Sequence, residues 1–402
     1  MTINTMKIYI MMATLYYFSI PLSVVIVDSS IKSIEGLAEG YSIGKDFIII
    51  MLGLYAVVGF YLGLKVSGFS RFENTFLKYN KSEINIDKIE KGLILILYAT
   101  LTLIIMAYWN ILIIQLKGYS EAWAVADTIP IYSFLIQTFE IACGILLALY
   151  IRVKKIKAVI FLSIVLLYII FTTGDKNPLV ILIFSMASGY GIFEKKHNLL
   201  SVLYYIIMAI ILLIFIKSFS YYQGGASLIE SVTTGILSFD ITTLDPLGPY
   251  YANSLIISKQ SPYLLGATYM TEIINIVPNF IYPDRPDTMP VILAKEYLTD
   301  YVLGRGMGYS PLAESYLNFG TEGAIINFII MGWIFGMYWR VIIVIFRNLN
   351  IPTEVSATVF HIVGMYTLLL TFRGTSLSFV KMSTMMLIPL IIGVTLFKLK
   401  IK

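Results

Sequence analysis

Residues Arg305–Gly323 read RGMGYSPLAESYLNFGTEG, and residues 324–346 follow as AIINFIIMGWIFGMYWRVIIVIF. A polar, glycine-rich segment therefore runs directly into an apolar stretch long enough to cross a bilayer as a helix. The junction poses the question of the whole chain: what is a polar motif doing at the mouth of a membrane span?

Composition widens the point. The chain has 402 residues, of which 58% are hydrophobic and 13% charged, with a mean hydropathy of +0.83. Soluble domains carry about 25% charged residues. Apolar runs of spanning length recur, so the fold class is an all-α polytopic membrane protein. The single cysteine, Cys143, lies in an apolar run and allows no internal disulfide. With His197 and His361 as the only histidines, a His/Cys zinc site is not expected. The net charge of +5 is what positively charged cytoplasmic loops produce, and no nucleic-acid partner is implied.

About ten spans are expected, near 6–27, 44–64, 92–114, 131–151, 158–173, 178–193, 199–216, 323–346, 353–372 and 376–397. The first reads as a retained helix rather than a cleaved signal peptide, because it lacks a small-residue cleavage site. Lys65, Arg71, Lys78, Lys81, Lys88, Lys91, the RVKKIK loop at 152–157, Lys195, Lys196, Arg347 and the KLKIK tail all fall on one side of this layout. That side is expected to be cytoplasmic, with both termini on it. The organisation is then a first bundle over 1–216, an outer-face loop over 217–322 and a last bundle over 323–402. The long loop contains plausible short helices, GATYMTEIINIVPNF and PVILAKEYLTDYVLG, and is broken by prolines. A loop of that length inside a compact protein is usually functional. There is no internal repeat of the kind many transporters carry.

The opening motif can be read twice. Gly306 and Gly308 flank Met307, and Ser310–Pro311 is a good helix start, an N-cap followed by proline at the first helical position. Glycines that free backbone amides, Arg305 and a helix N-terminus together favour an anion, phosphate being the obvious one. An ordinary turn into a capped helix satisfies the same pattern. Glu314, one turn in, either complements the helix dipole or serves as a proton-accepting carboxylate beside an anion site. Asn318–Gly320 would end the short helix, with Gly320 as its cap.

Three more cations fall on the same outer side: Lys176 in TGDKNP, Arg285 held between prolines in YPDRPD, and Arg373 in TFRGTS. Orientation rules give no reason for them there, and convergence on a polyanion does; snorkelling to headgroups, or pairing of Arg285 with Asp284 or Asp287, are the plain alternatives. Asp28 closes the first span on that side and is a second candidate base. Within spans, Glu140 and Arg340 read as structural ion pairing, Lys381 as a snorkelling lysine, and His361 as a hydrogen-bonded core histidine.

The segment GRGMGYSPLAESYLNFGTEGAIINFIIMG resembles that of the Wzy-type O-antigen and capsule repeat-unit polymerases. IVPNFIYPDRP looks like the proline-flanked basic segment of that family, and Arg373–Gly374 fits its late outer arginine. TTGDKNPLV is similar to the family's G-x-R turn between two middle spans, with Lys176 where arginine is usual. The resemblance implies about ten transmembrane helices with a large outer loop, a GT-C-like architecture. It implies transfer of a growing glycan from undecaprenyl diphosphate to an incoming lipid-linked repeat unit, on the periplasmic or extracellular face of the bacterial cytoplasmic membrane. No metal or other cofactor is expected, because preorganised cations stabilise the departing diphosphate. On this reading Lys176, Arg285, Arg305, Arg373, Gly306, Gly308 and Ser310 bind diphosphate. Tyr309, Tyr316 and Asn318 contact substrate, and Glu314, with Asp28 behind it, is the base. Membrane lipids and a chain-length regulator are the other expected partners. The rivals are a lipid-linked oligosaccharide flippase, disfavoured by the long loop and missing repeat, and an O-antigen ligase, which usually places a histidine in the outer loop.

Overall fold

A computed structural model of the chain describes residues 5–19, 21, 43–77, 87–114, 132–173, 177–193, 230, 233, 247–259, 262–277, 281–297 and 308–399. The span expected near 199–216 lies outside the described residues, as do Asp28, Lys176, Arg305 and Gly306. Every described element is a helix. In order they are α1 (Thr5–Ala13, continued by a π-helical turn Thr14–Phe18), α2 (Ile43–Val66), α3 (Phe69–Leu77), α4 (Asp87–Ile114), α5 (Tyr132–Arg152), α6 (Ile156–Thr173) and α7 (Asn177–Gly189). Then follow α8 (Leu247–Lys259), α9 (Ala267–Ile274), α10 (Met289–Tyr297) and α11 (Pro311–Asn348). Last come α12 (Thr353–Val359), a π turn (Phe360–Gly364), α13 (Met365–Thr371) and α14 (Ser378–Leu399). Four stretches, Asp46–Val66, Phe134–Arg152, Pro311–Asn348 and Thr353–Thr371, are long and apolar enough to cross a membrane. Backbone polar groups in hydrocarbon must be satisfied within the segment, which is why these runs are helical.

The closest helix pair is α2 with α11. Helices in lipid gain nothing by hiding apolar side chains from one another, so they pack where small residues let backbones approach. Gly63 in α2 (GFYLG) meets Gly332 in α11 (GWIFG), with Gly59 against the Ile325 and Ile329 backbone and Gly336 against Ser67. A Cβ on Gly59 would lie 2.7 Å from the Ile325 carbonyl oxygen; one on Gly63 would overlap the Ile329 carbonyl, and one on Gly332 the Phe60 carbonyl. The contacts advance in the same sense along both helices, so the two run parallel. Around them stands an aromatic core: Tyr9 stacks on Phe60 at 3.9 Å, and Phe335, Phe69, Phe360 and Trp339 continue it in tilted and edge-to-face contacts.

The parallel pair gives the bundle two distinct ends. At one end α2 leaves by the turn Ser67–Gly68, whose Ser67 carbonyl accepts from Arg340 Nη1. Arg347 lies over the Phe72 ring at 5.7 Å and Lys155 pairs with Glu90 at 2.9 Å. Thr5 joins the same end by donating its amide and hydroxyl to buried Glu73, at 2.8 and 2.6 Å. Arg340 is thus held by a backbone carbonyl rather than by the acid expected. His361 behaves as a core histidine, 3.4 Å from Ser188 Oγ and stacked on Phe193 at 4.4 Å.

At the other end, α8, α9 and α10 gather over the start of α11. Tyr250 of α8 donates to Asp46 Oδ1 near the start of α2 at 2.8 Å. α11 carries the chain across the 322/323 boundary, with one residue departing from helical geometry: Gly320, at φ 68° and ψ −162°. That backbone conformation is open to glycine alone. The short helix expected to end at Gly320 therefore does end there, but a new helix begins at once on a different axis.

The glycine contact makes a direct prediction. Gly63→Val and Gly332→Val should each lower unfolding stability in detergent by about 1–3 kcal/mol, the usual cost of forcing volume into a closed contact. Ile330→Leu, at an exposed position on α11, should leave it within about 0.5 kcal/mol. Equal stability for all three variants would show that the helices do not rely on this contact.

Candidate functional site

The start of α11 is fixed by local chemistry. Ser310 has extended geometry and its hydroxyl accepts from the Ala313 amide at 3.2 Å, with Pro311 at the first helical position. The same hydroxyl donates to Asn253 Oδ1 of α8 at 2.6 Å. Gly308 lies against the Gly248–Pro249 backbone, where a Cβ would come within 2.6 Å of Gly248. In the described structure these two residues fasten α11 to α8.

Glu314, 0% exposed, points inward. Its Oε1 accepts from Thr268 Oγ1 of α9, and its Oε2 from the Ser376 amide, each at 2.8 Å. The very next amide, Leu377, donates at 2.9 Å to Oε2 of Glu272, also on α9. Two successive amides in the turn between α13 and α14 thus hold two different carboxyls side by side. Glu272 Oε1 is buried and finds no other donor. Two ionised carboxylates could not share such a place; one proton between them supplies the missing donor. Burial and the neighbouring Glu314 carboxyl push Glu272 well above the ordinary carboxylate range. Glu314 has more donors than Glu272, so the proton resides mainly on Glu272.

A cavity of about 280 Å³ opens beside the pair. Its wall includes Glu272, Asn275, Thr288, Arg373, Ser378 and Lys381. Lys381, expected to snorkel, instead faces this cavity, because α14 begins at the turn that clamps the acids. Arg285 and Glu272 both lie within electrostatic reach of it. Arg285 does not rest on Asp284 or Asp287. Its Nη1 donates to the carbonyls of Asn275 and Val277, at 3.2 and 2.9 Å, closing the turn after α9, while Asp287 pairs with Lys295 at 2.6 Å.

The remaining expected residues sort as follows. Glu314 sits behind Glu272 and does not line the cavity. Tyr309 is fully buried among Ala252, Ile256, Leu293 and Ala313, within electrostatic reach of both acids. Asn318 ties α11 to α9: its Nδ2 donates to Thr268 Oγ1 at 2.6 Å and its Oδ1 accepts from the Gly266 amide at 2.9 Å. Tyr316 is half-buried between two parts of the core. The residues that sequence reasoning passed over are Glu272, Thr268 and Ser376, together with the role of Lys381. A signal was present. Thr268, Glu272 and Asn275 recur at helical spacing on a segment whose other positions, Met270, Ile273 and Ile274, are apolar. That pattern turns the polar stripe inward when the opposite face meets lipid.

A family model described as O-antigen polysaccharide polymerase Wzy matches residues 2–402. Neither a curated protein nor a solved structure matches the chain.

The shared proton sets a pH dependence. Because the Glu272 carboxyl in the folded protein titrates well above its ordinary 4.5, the pair's contribution to stability is full below that value and is lost as pH rises through the folded-state titration. The unfolding midpoint in detergent should therefore fall as pH rises above the ordinary carboxylate range. Glu272→Gln, whose amide can still donate to Glu314, should flatten the curve. An unchanged slope in that variant would remove the shared proton.

Proposed function

Because the chain belongs to the O-antigen polysaccharide polymerase Wzy family, and so polymerises oligosaccharide repeat units into O-antigen, we propose that the Glu272–Glu314 pair and its cavity are the reaction centre. The observation that carries this reading is a buried pair of acids, held by two successive amides, whose Glu272 lines a cavity that also presents Arg373 and Lys381. The protein is a multi-pass membrane protein acting on lipid-linked repeat units. We take the donor to be a glycan on undecaprenyl diphosphate.

In this reading Arg373 and Lys381 hold the diphosphate, with Lys176 and Arg305 joining them as sequence reasoning expects. Arg285 shapes the turn behind them. The negative charge of the leaving group is assigned to these guanidinium and ammonium groups. The acceptor hydroxyl oxygen bonds to the anomeric carbon. The bond from that carbon to the diphosphate oxygen breaks, and its electron pair leaves with the diphosphate. The hydroxyl proton passes to Glu272 while the proton already on Glu272 moves to Glu314. Thr268 and the Ser376 amide stabilise Glu314 as the ionised acceptor beforehand. Glu314 is then the base at one remove and Glu272 the group that meets substrate.

The site is assigned to the periplasmic or extracellular face, with both termini cytoplasmic. What supports this is that Arg340, Arg347 and Lys155 cluster at the opposite end of the parallel α2–α11 pair, as positively charged cytoplasmic ends do. A chain-length regulator is the expected protein partner on resemblance alone. The flippase and ligase readings are not favoured by the family match.

The reading is tested with purified protein and lipid-linked repeat units, and by complementing a deletion strain. Glu272→Gln and Glu314→Gln should each lower polymer formation about 10²-fold or more, the usual worth of a positioned base. Arg373→Lys should also impair it, since a point charge does not replace a two-pronged guanidinium. Native chain lengths from Glu272→Gln at normal protein level would remove the pair from the chemistry. Build-up of lipid-linked units on the cytoplasmic side of the deletion strain would point to a flippase instead.

A further inference from the structure

One face of the loop region is strongly apolar and uncovered. On α9, Met270 is 62% and Ile273 50% exposed, and Leu265, just before it, is 79% exposed. Ile274, Val277 and Ile281 extend the patch. Exposed apolar surface of this kind, gathered on one side of a helix whose other side carries Thr268, Glu272 and Asn275, would be unfavourable in water. Leu265 makes the point most sharply. It is held at a positive φ of 48°, uncommon for a residue with a Cβ, by donating its amide to the Asn318 carbonyl at 3.2 Å. In this setting the leucine side chain is left facing outward.

The patch is not isolated. Tyr269 of α9 stacks on Phe319 of α11 at 6.1 Å. Phe319 lies over Gly323, close enough that a Cβ there would overlap its own. From Gly323 the exposed residues Ile326, Ile330, Trp333, Met337, Val341 and Val344 continue down one side of α11 at helical spacing. That side of a spanning helix faces lipid. The α9 face is therefore the upper end of a continuous lipid-facing stripe, joined through the Tyr269–Phe319 stack.

We propose that α9 is an interfacial helix, with its Leu265, Met270 and Ile273 side seated in the acyl-chain region of the bilayer. The partner is bilayer hydrocarbon. Its chemistry matches a patch that is apolar throughout and continuous with a membrane-spanning surface. The consequence is positional. Glu272 lies on the opposite face of the same short helix, so the cavity beside it opens at the boundary between hydrocarbon and water. A charged headgroup on a lipid tail sits at that depth without the tail leaving the membrane. The inference rests on the surface alone and holds whatever the acid pair does.

The test uses the full chain reconstituted in phosphatidylethanolamine–phosphatidylglycerol vesicles, with Cys143, which is buried, changed to alanine. Single cysteines at Leu265, Met270 or Ile273 carry a bimane fluorophore; Asp287→Cys and Glu296→Cys serve as aqueous references. Each variant is used only if it elutes as a single folded species, and three positions on the face keep the test alive if one fails. Doxyl-labelled lipid should quench the three α9-face labels several-fold more than the two references, and iodide should do the reverse. Iodide reaching Met270 and Ile273 freely would overturn the proposal. Shielding from both quenchers would overturn it too, because a protein surface would then be the occupant.

Discussion

The amides of Ser376 and Leu377 point the same way out of one tight turn, and each holds a carboxylate from a different helix. Most of what is distinctive here depends on that clamp. Two acids taken from water into a closed site repel each other and lose their hydration, and either effect alone would drive them apart. The clamp, the Thr268 hydroxyl and a shared proton offset both. Once the acids are held, α9 is pinned to α11, the turn after α13 is pinned to both, and α14 must begin where Lys381 faces Glu272 and the cavity. A site assembled from three separate stretches of sequence is thereby made rigid without a metal ligand set among the described residues.

The clamp needs a platform, and the α2–α11 pair provides it. Backbone-to-backbone packing across Gly59, Gly63 and Gly332 sets the axial position of α11 against the bundle. The break at Gly320 then lets the first segment of α11 tilt away from the spanning segment, so that Glu314 turns inward while Phe319 turns toward the lipid side. Ser310 and Gly308 secure the far end of that segment to α8. One helix therefore carries both the membrane anchor and the acid, and the glycine between them decouples their directions.

The polar face of α9 meets Glu314 and Asn318 at the start of α11, and its apolar face meets lipid. This inverts the arrangement of a water-soluble domain. It explains how α9 can lie at the bilayer surface, and why a reaction on lipid-linked repeat units can proceed with the lipid still dissolved in the membrane.

The membrane class and the four described helices of spanning length were legible because hydrocarbon leaves the backbone one economical choice and composition announces it. The cap at Ser310, the break at Gly320, the core histidine at position 361 and Glu314 as a residue of interest could all be read in the same way, from local stereochemistry or from a motif. The polar stripe shows that Glu272 turns inward but not what it meets, because its importance comes from Ser376 and Glu314, which lie far along the sequence and whose approach no local pattern encodes. Lys381 was read as snorkelling for the same reason: sequence placed it near a membrane edge, and only the turn at 372–378 decided that it faces an acid. Gly308 and Ser310 drew attention as an anion nest, while packing against Gly248 and Asn253 is what the fold shows them doing. Sequence alone determined the membrane class, the helices and the family, which follow from hydropathy and short motifs. Tertiary structure decided which charges share a site, because electrostatic pairing depends on distance through space rather than along the sequence.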